Sequence, residues 1–211
     1  MAKFAVGVLG SFEGKVGTVV GARWRGIEYM RHKGRKSTKP FTEAQLEQQA
    51  RFKVVSKFVK SIGHLLMACY PGSAKQTGIN HAFSDIYAKA ITGVYPAYSL
   101  DYSKVSVSKG ILFNGNGPIV TAAGSGVIRF TWTDNSDGNL ALATDKSVLV
   151  AYCPELENAV FTLQGGARST SSGSLDMKNY TGKQVETWIA FMSANGKEVS
   201  SSIYTGQLTV S

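Results

Sequence analysis

The spacing of apolar positions divides the chain into three regimes. Between Leu46 and Cys69 the apolar residues Leu46, Val55, Phe58, Val59, Ile62, Leu65, Leu66 and Cys69 recur at helical spacing, which predicts one long amphipathic helix. Thr42 and Gln45 match a capping box at its start, and Pro71-Gly72 stops it. A second helix is predicted from an Asn80 cap to Thr92, with Phe83, Ile86, Tyr87, Ala90 and Ile91 on one face and Gly93 as its stop. The short PGSAKQTG connection suits an antiparallel pair.

From Tyr98 onward the period falls to two and turn residues appear at short intervals. Strands are predicted at 100–108, 119–122, 127–133, 140–143, 148–153, 159–163, 185–193 and 202–210. Asn114-Gly115-Asn116-Gly117, residues 134–139, Gly165-Gly166, Ser171 to Ser174 and Asn195-Gly196 separate them, the last as a hairpin signal. Short strands without intervening helices read as an antiparallel sandwich of immunoglobulin-like type. Trp132, Tyr152, Phe161, Trp188, Phe191 and Tyr204 are its expected aromatic core.

The first forty residues fit neither pattern. Gly7, Gly10, Gly14, Gly17 and Gly21 are spaced three, four, three and four apart. That stripe would fall on one side of a helix, but each interior glycine costs a helix about 1 kcal/mol relative to alanine. The β-branched run Val16, Thr18, Val19, Val20 favours extended pieces, Lys15 to Val20 and Trp24 to Arg31, joined at glycines. The expected class is therefore α+β: a glycine-rich basic β segment (1–41), a helical hairpin (42–96) and an immunoglobulin-like β-sandwich (97–211).

Charge sharpens this division. Residues 1–60 hold 13 Lys and Arg against 4 Asp and Glu, a net of +9 that equals the charge of the whole chain, while the remainder balances 10 against 10. Candidate anion- or nucleic-acid-binding residues are Arg23, Trp24, Arg25, Tyr29, Arg31, Lys33, Arg35, Lys36 and Lys39, with a helical stripe of Lys53, Lys57, Lys60 and His64 behind them. Arg23-Trp24-Arg25 and the run Tyr29 to Lys33 interleave aromatic and cationic side chains, as stacking on bases over a phosphate track would require. The glycine stripe is the candidate for close packing or assembly.

Catalytic patterns are not found. His32, His64 and His81 are scattered without metal-ligand spacing. Gly10, Gly14 and Lys15 miss the phosphate loop by one residue, and Val16 stands where Ser or Thr is needed. The run 134–139 lacks carboxylates at the first and last positions of a calcium loop, since Thr133 and Thr144 fall there. Gly124-Ser125-Gly126 is too compact for a nucleophile elbow. Cys69 and Cys153 sit in apolar runs and read as buried free thiols. No cofactor is expected. No run approaches the roughly 18 apolar residues of a membrane span, and without a secretory pattern a cytoplasmic location is expected, export by another route or presence in a particle remaining open.

The pattern GxLGxFxGKVGxVVGxxWRG (Gly7 to Gly26), the segments FTWTDNS (Phe130 to Ser136), TDK (Thr144 to Lys146) and GAR (Gly166 to Arg168), and the closing IAFMSANGKEVSSSIYTG (Ile189 to Gly206) together resemble a family of bacterial proteins known only as a domain of unknown function. The resemblance implies the same N-terminal motif and C-terminal β domain, and transfers no activity. The expected role is a non-enzymatic structural or assembly protein that self-associates or joins a particle or filament through its N-terminal segment. The first alternative is a nucleic-acid-binding protein using the Arg/Lys cluster. The second is an adhesion or carbohydrate-binding module displaying Tyr95, Tyr98 and Tyr180.

Overall fold

A computed structural model describes residues 3–4, 12–24, 26–35, 38–73 and 76–211 of the 211-residue chain. It divides into two compact units, Met1–Thr42 and Glu43–Ser211.

The first unit is an antiparallel ribbon of β1 (Lys3–Phe4), β2 (Phe12–Val16), β3 (Val19–Trp24) and β4 (Ile27–His32), in that order. The glycine stripe is thus extended where it is described; Gly7 and Gly10 lie outside the described residues. The strands start and stop where the predicted pair, Lys15 to Val20 and Trp24 to Arg31, did not, because turns fall at Gly17-Thr18 and around Gly26. Gly17 has φ +57°, which favours glycine in this turn. Gly21 is buried: a Cβ there would meet the Phe12 carbonyl oxygen at 2.0 Å and the Phe12 ring at 2.8 Å.

The second unit has three layers. The middle layer is a four-stranded sheet, β10-β9-β12-β13, from β9 (Lys146–Cys153), β10 (Asn158–Thr162), β12 (Gln184–Met192) and β13 (Ile203–Thr209). Strands β9 and β12 are buried along nearly their whole length, so both faces must be covered. One face carries Val148, Val150, Tyr152, Trp188, Ala190 and Met192 into a core with the helices. The other carries Leu149, Ala151, Cys153, Val185, Ile189 and Phe191 into a core with the three-stranded sheet β11-β8-β7. That sheet consists of β7 (Asn116–Gly124), β8 (Val127–Thr133) and β11 (Ser172–Asp176). The α+β class and the antiparallel sandwich therefore hold, with the helices forming the third layer on the sandwich.

The helical layer differs from expectation in detail. The first helix is two, α1 (Glu43–Ser61) and α2 (Gly63–Cys69), parted at Ile62, whose ψ of 18° leaves the helical range. Leu46, expected on the buried face, is exposed. The next helix, α3 (Gly78–Lys89), is capped by Thr77, whose hydroxyl accepts from the Asn80 backbone N–H at 3.3 Å; Asn80 is not the cap. Ile91 and Thr92 belong to a small hairpin, β5 (Ile91–Val94) with β6 (Ala97–Leu100), that uses the apolar residues assigned to the helix end.

Among the predicted strands, 100–108 becomes the end of β6, a 3₁₀ turn at Tyr102–Lys104 and an irregular stretch. Serines hold that stretch in place of a ladder: the Val107 N–H donates to Ser202 Oγ at 2.9 Å, and Ser108 Oγ donates to the Ser200 carbonyl at 2.8 Å. Residues 140–143 form a loop, and Ser172 to Ser174, expected as a separator, lies in β11. Asn195-Gly196 does reverse the chain, pairing Met192 with Val199, but β13 begins only at Ile203. Trp132, Tyr152, Trp188 and Phe191 are buried, whereas Phe161 and Tyr204 flank the core.

Asp85 on α3 ties the helices to the loop before the sandwich. It accepts from Tyr70 Oη at 2.5 Å and Lys109 Nζ at 3.0 Å. The Tyr70 hydrogen bond first, then Lys109 and Lys89, hold its carboxyl below the usual carboxylate range. A depressed folded-state pKa contributes stability that is present above the unfolded value of about 3.9 and lost as pH falls through the folded one. Asp85→Ala is expected to lose about 1.5–3 kcal/mol at pH 7. In urea titrations its gap to wild type should narrow below about pH 4; a gap constant to pH 2 would contradict this account.

Candidate functional site

The register of the ribbon sorts its side chains onto two faces. Opposite pairs are Val20–Arg31, Ala22–Tyr29 and Trp24–Ile27 on one face, and Val19–His32, Gly21–Met30 and Arg23–Glu28 on the other. Lys15 joins the first face and Val16 the second through β2. The first face therefore collects Trp24, Ile27, Tyr29, Arg31 and Lys15, an aromatic strip with two cations. The second collects Phe12, Val16, Val19 and Met30, with Arg23 set opposite Glu28. The cation cluster is thereby split, because alternate residues of a strand point to opposite faces.

Every residue of β4 is exposed. Met30 is 71% exposed, Ile27 63% and Trp24 54%, large values for apolar side chains on so small a sheet. Lys33, Arg35 and Lys39 follow β4 and are exposed, while Arg25 and Lys36 lie outside the described residues.

Lys53, Lys57, Lys60 and His64 are exposed on α1 and α2. They do not act as one free cationic stripe, because Lys57 is hydrogen-bonded and ion-paired to Glu157. The tyrosines named for an adhesive face do not share one. Tyr180 is buried beneath the second core, where its hydroxyl accepts from Asn158 at 3.0 Å. Tyr98 donates to Glu47 at 2.6 Å with the Arg51 guanidinium over its ring, and Tyr95 alone is exposed.

The chemistry of the second unit is structural. Burial pushes the Cys69 thiol up to about 12, so at neutral pH it is an inert thiol. Buried Glu186 accepts from Tyr204 Oη at 2.5 Å and from Gln207 Nε2 at 2.9 Å, which satisfies both of its oxygens. Among the described residues, no three or more His, Cys, Asp or Glu side chains gather where they could hold a metal ion. A shallow groove of about 570 Å³ runs past Arg129, Gln164, Thr170 and Ser172 over a floor of glycines.

The residue that sequence reasoning missed is Arg168, which is fully buried. Its guanidinium donates to Asp145 Oδ2 at 3.1 and 3.3 Å, to Asn135 Oδ1 at 2.9 Å and to the Phe113 carbonyl at 2.7 Å, and it stacks on the Phe191 ring at 4.2 Å. The TDK and GAR segments, noted only as markers, supply the two halves of this pair.

A family model described as "Family of unknown function (DUF6266)" matches residues 11–206. No curated protein matches. Among solved structures, the fn3 domain of human collagen alpha-1(XX) chain is similar at 10% identity, covering 47% of this chain and 86% of that chain with a TM-score of 0.33. No described helix is long and apolar enough to cross a membrane.

Proposed function

This chain belongs to that family of unknown function, and from that premise we propose that it is a non-enzymatic assembly protein whose three-layered body carries a self-associating β ribbon. The observation that carries the proposal is the exposure of Trp24, Ile27, Tyr29 and Met30 on a sheet whose β4 edge has no neighbouring strand among the described residues and which belongs to a compact unit of its own. A small ribbon gains little by folding alone in water, and an open edge with apolar side chains is a template for another strand. Contact with further copies would bury both.

Light scattering of the full-length protein over rising concentration, with negative-stain imaging, tests this reading. A mass that climbs above one chain, or discrete particles, is expected. A strictly monomeric protein that recovers no partner on pull-down would overturn it.

A second reading is favoured by one observation: Trp24, Tyr29, Arg31 and Lys15 share a face. That surface suits stacking of single-stranded nucleic acid bases beside a phosphate track. If it binds, affinity for a labelled oligonucleotide should fall steeply between low and physiological salt, and Arg31→Glu should weaken it. Affinity unchanged by salt and by that charge reversal would exclude the reading.

A further inference from the structure

Resting on the assembly reading, the ribbon's own hydrogen-bond pattern specifies how two copies meet. The Lys33 N–H donates to the Thr18 carbonyl at 2.8 Å, continuing the β3–β4 ladder one step beyond Val19–His32. In an antiparallel ladder, residues bonded to one neighbour alternate with residues whose N–H and C=O point the opposite way. Lys33 points inward, so Arg31, Tyr29 and Ile27 do as well. Glu28, Met30 and His32 therefore present their backbone donors and acceptors along the outer edge, for among the described residues β4 is the last strand in the order β1-β2-β3-β4.

We propose that β4 pairs antiparallel with β4 of a second copy about a twofold axis through Met30. A closed pair of identical strands must set like faces side by side, which restricts the axis to one residue of the strand. Centred on Tyr29, the pairing engages Glu28 and Met30 only and sets Glu28 against Met30. Centred on Met30, it engages all three outward residues. It also sets Glu28 against His32 of the second copy, and Tyr29 against Arg31 of the second copy. A carboxylate thus faces an imidazole and an aromatic ring faces a guanidinium across the axis, and the exposed Met30 side chains meet at the axis. Hydrogen-bonding and cation-aromatic pairs directly across two strands stabilise them. The outcome is a continuous sheet through both ribbons.

Disulfide trapping in the full-length protein tests the register. The natural thiols Cys69 and Cys153 are buried, so wild type supplies an unlinked control. Residues opposite each other in a hydrogen-bonded antiparallel pair lie about 5.5 Å apart at Cα, within the roughly 4.4–6.8 Å that a disulfide spans. Under mild oxidation, Met30→Cys and the double variant Glu28→Cys/His32→Cys should both give covalent dimers. Glu28→Cys alone should not, because the two copies of that position lie four residues apart along the strands, roughly 13 Å. Met30→Pro, which removes an outward N–H and leaves the β3 ladder intact, should weaken dimerisation by about tenfold or more, the loss of one to two hydrogen bonds. Self-association without a Met30→Cys link, or with linking through Tyr29→Cys in its place, overturns this register and leaves the assembly reading standing. A purified wild-type protein that stays monomeric overturns both.

Discussion

Arg168→Ala is expected to lower the unfolding free energy by about 3–5 kcal/mol, the range for removing one partner of a buried ion pair. The cost arises less from the lost attraction than from what remains. Asp145, itself buried, would keep a carboxylate whose Oδ2 retains only the Leu142 N–H, at 2.9 Å, and whose Oδ1 already has no hydrogen-bond partner. The Phe113 carbonyl and the Asn135 side chain would lose their donors as well. The guanidinium fastens three separate stretches, around 113, 135 and 145, to the β-sheet core at Phe191, so its loss should loosen the loops at one end of the sandwich together. Denaturant titration followed by far-UV circular dichroism reads the effect. The loss for the Arg168→Ala/Asp145→Ala pair should be smaller than the sum of the two single losses, since the pair shares its interaction. A single-variant loss below about 1 kcal/mol would mean that the buried charges relax to water, contrary to this account.

Trp188→Ala carries a comparable expected cost, about 3–5 kcal/mol, for a different reason. Trp188 lies fully buried at the centre of the middle sheet's helix-facing side. Its ring centroid lies 5.7 Å from Tyr204, 6.0 Å from Phe58 and 6.2 Å from Tyr102, and its Nε1 donates to the Val105 carbonyl at 3.2 Å. Truncation opens a cavity between two layers and orphans that carbonyl. Small domains have only about 5–15 kcal/mol of stability in total, so the variant should unfold at far lower denaturant. Trp188→Phe, which keeps most of the ring volume, should lose clearly less. Amide exchange should quicken first in α1 and α2, whose Phe58 and Leu65 rely on this face. Equal losses for both variants would show that the hydrogen bond, and not the packing, sets the stability.

These two residues illustrate what was legible in the chain. Strand β8 was read at its observed bounds because its alternation is clean: Ile128, Phe130 and Trp132 point inward, and Arg129 and Thr133 are exposed. Strands β9 and β12 were found, but their almost unbroken apolar runs held a further message, that both faces are covered, and hence that the helices lie on the sheet. Arg168 was invisible because an arginine beside glycine and alanine is assigned to the surface by default. Its burial depends on Asp145, twenty-three residues earlier in the chain. Tyr180 was misplaced on the same ground. The hairpin at Ile91–Leu100 was hidden because Ile86, Ala90 and Ile91 keep helical spacing past the real helix end at Lys89.

In the ribbon, the β-branched residues outweighed a glycine spacing that also suits a helix. The spacing itself follows from the hairpin: Gly14 lies opposite Gly21, and Gly17 makes the turn between them. Cationic and apolar residues were both read in the sequence, but their division between two faces required the register, which a composition count does not carry. Residues 1–42 hold 9 Lys and Arg against 2 Asp and Glu, a net of +7, so most of the excess charge and the exposed apolar strip belong to one small unit; in the assembly we propose, the first would limit random aggregation and the second would select a mate.

Sedimentation equilibrium of the full-length protein over a wide concentration range, run beside Ile27→Asp/Met30→Lys, tests the central claim most directly. Wild type is predicted to sediment as a dimer or larger species that dissociates on dilution, and the variant as a single chain with an unchanged circular dichroism spectrum. A wild-type protein that sediments as a single chain at the highest concentration would contradict it.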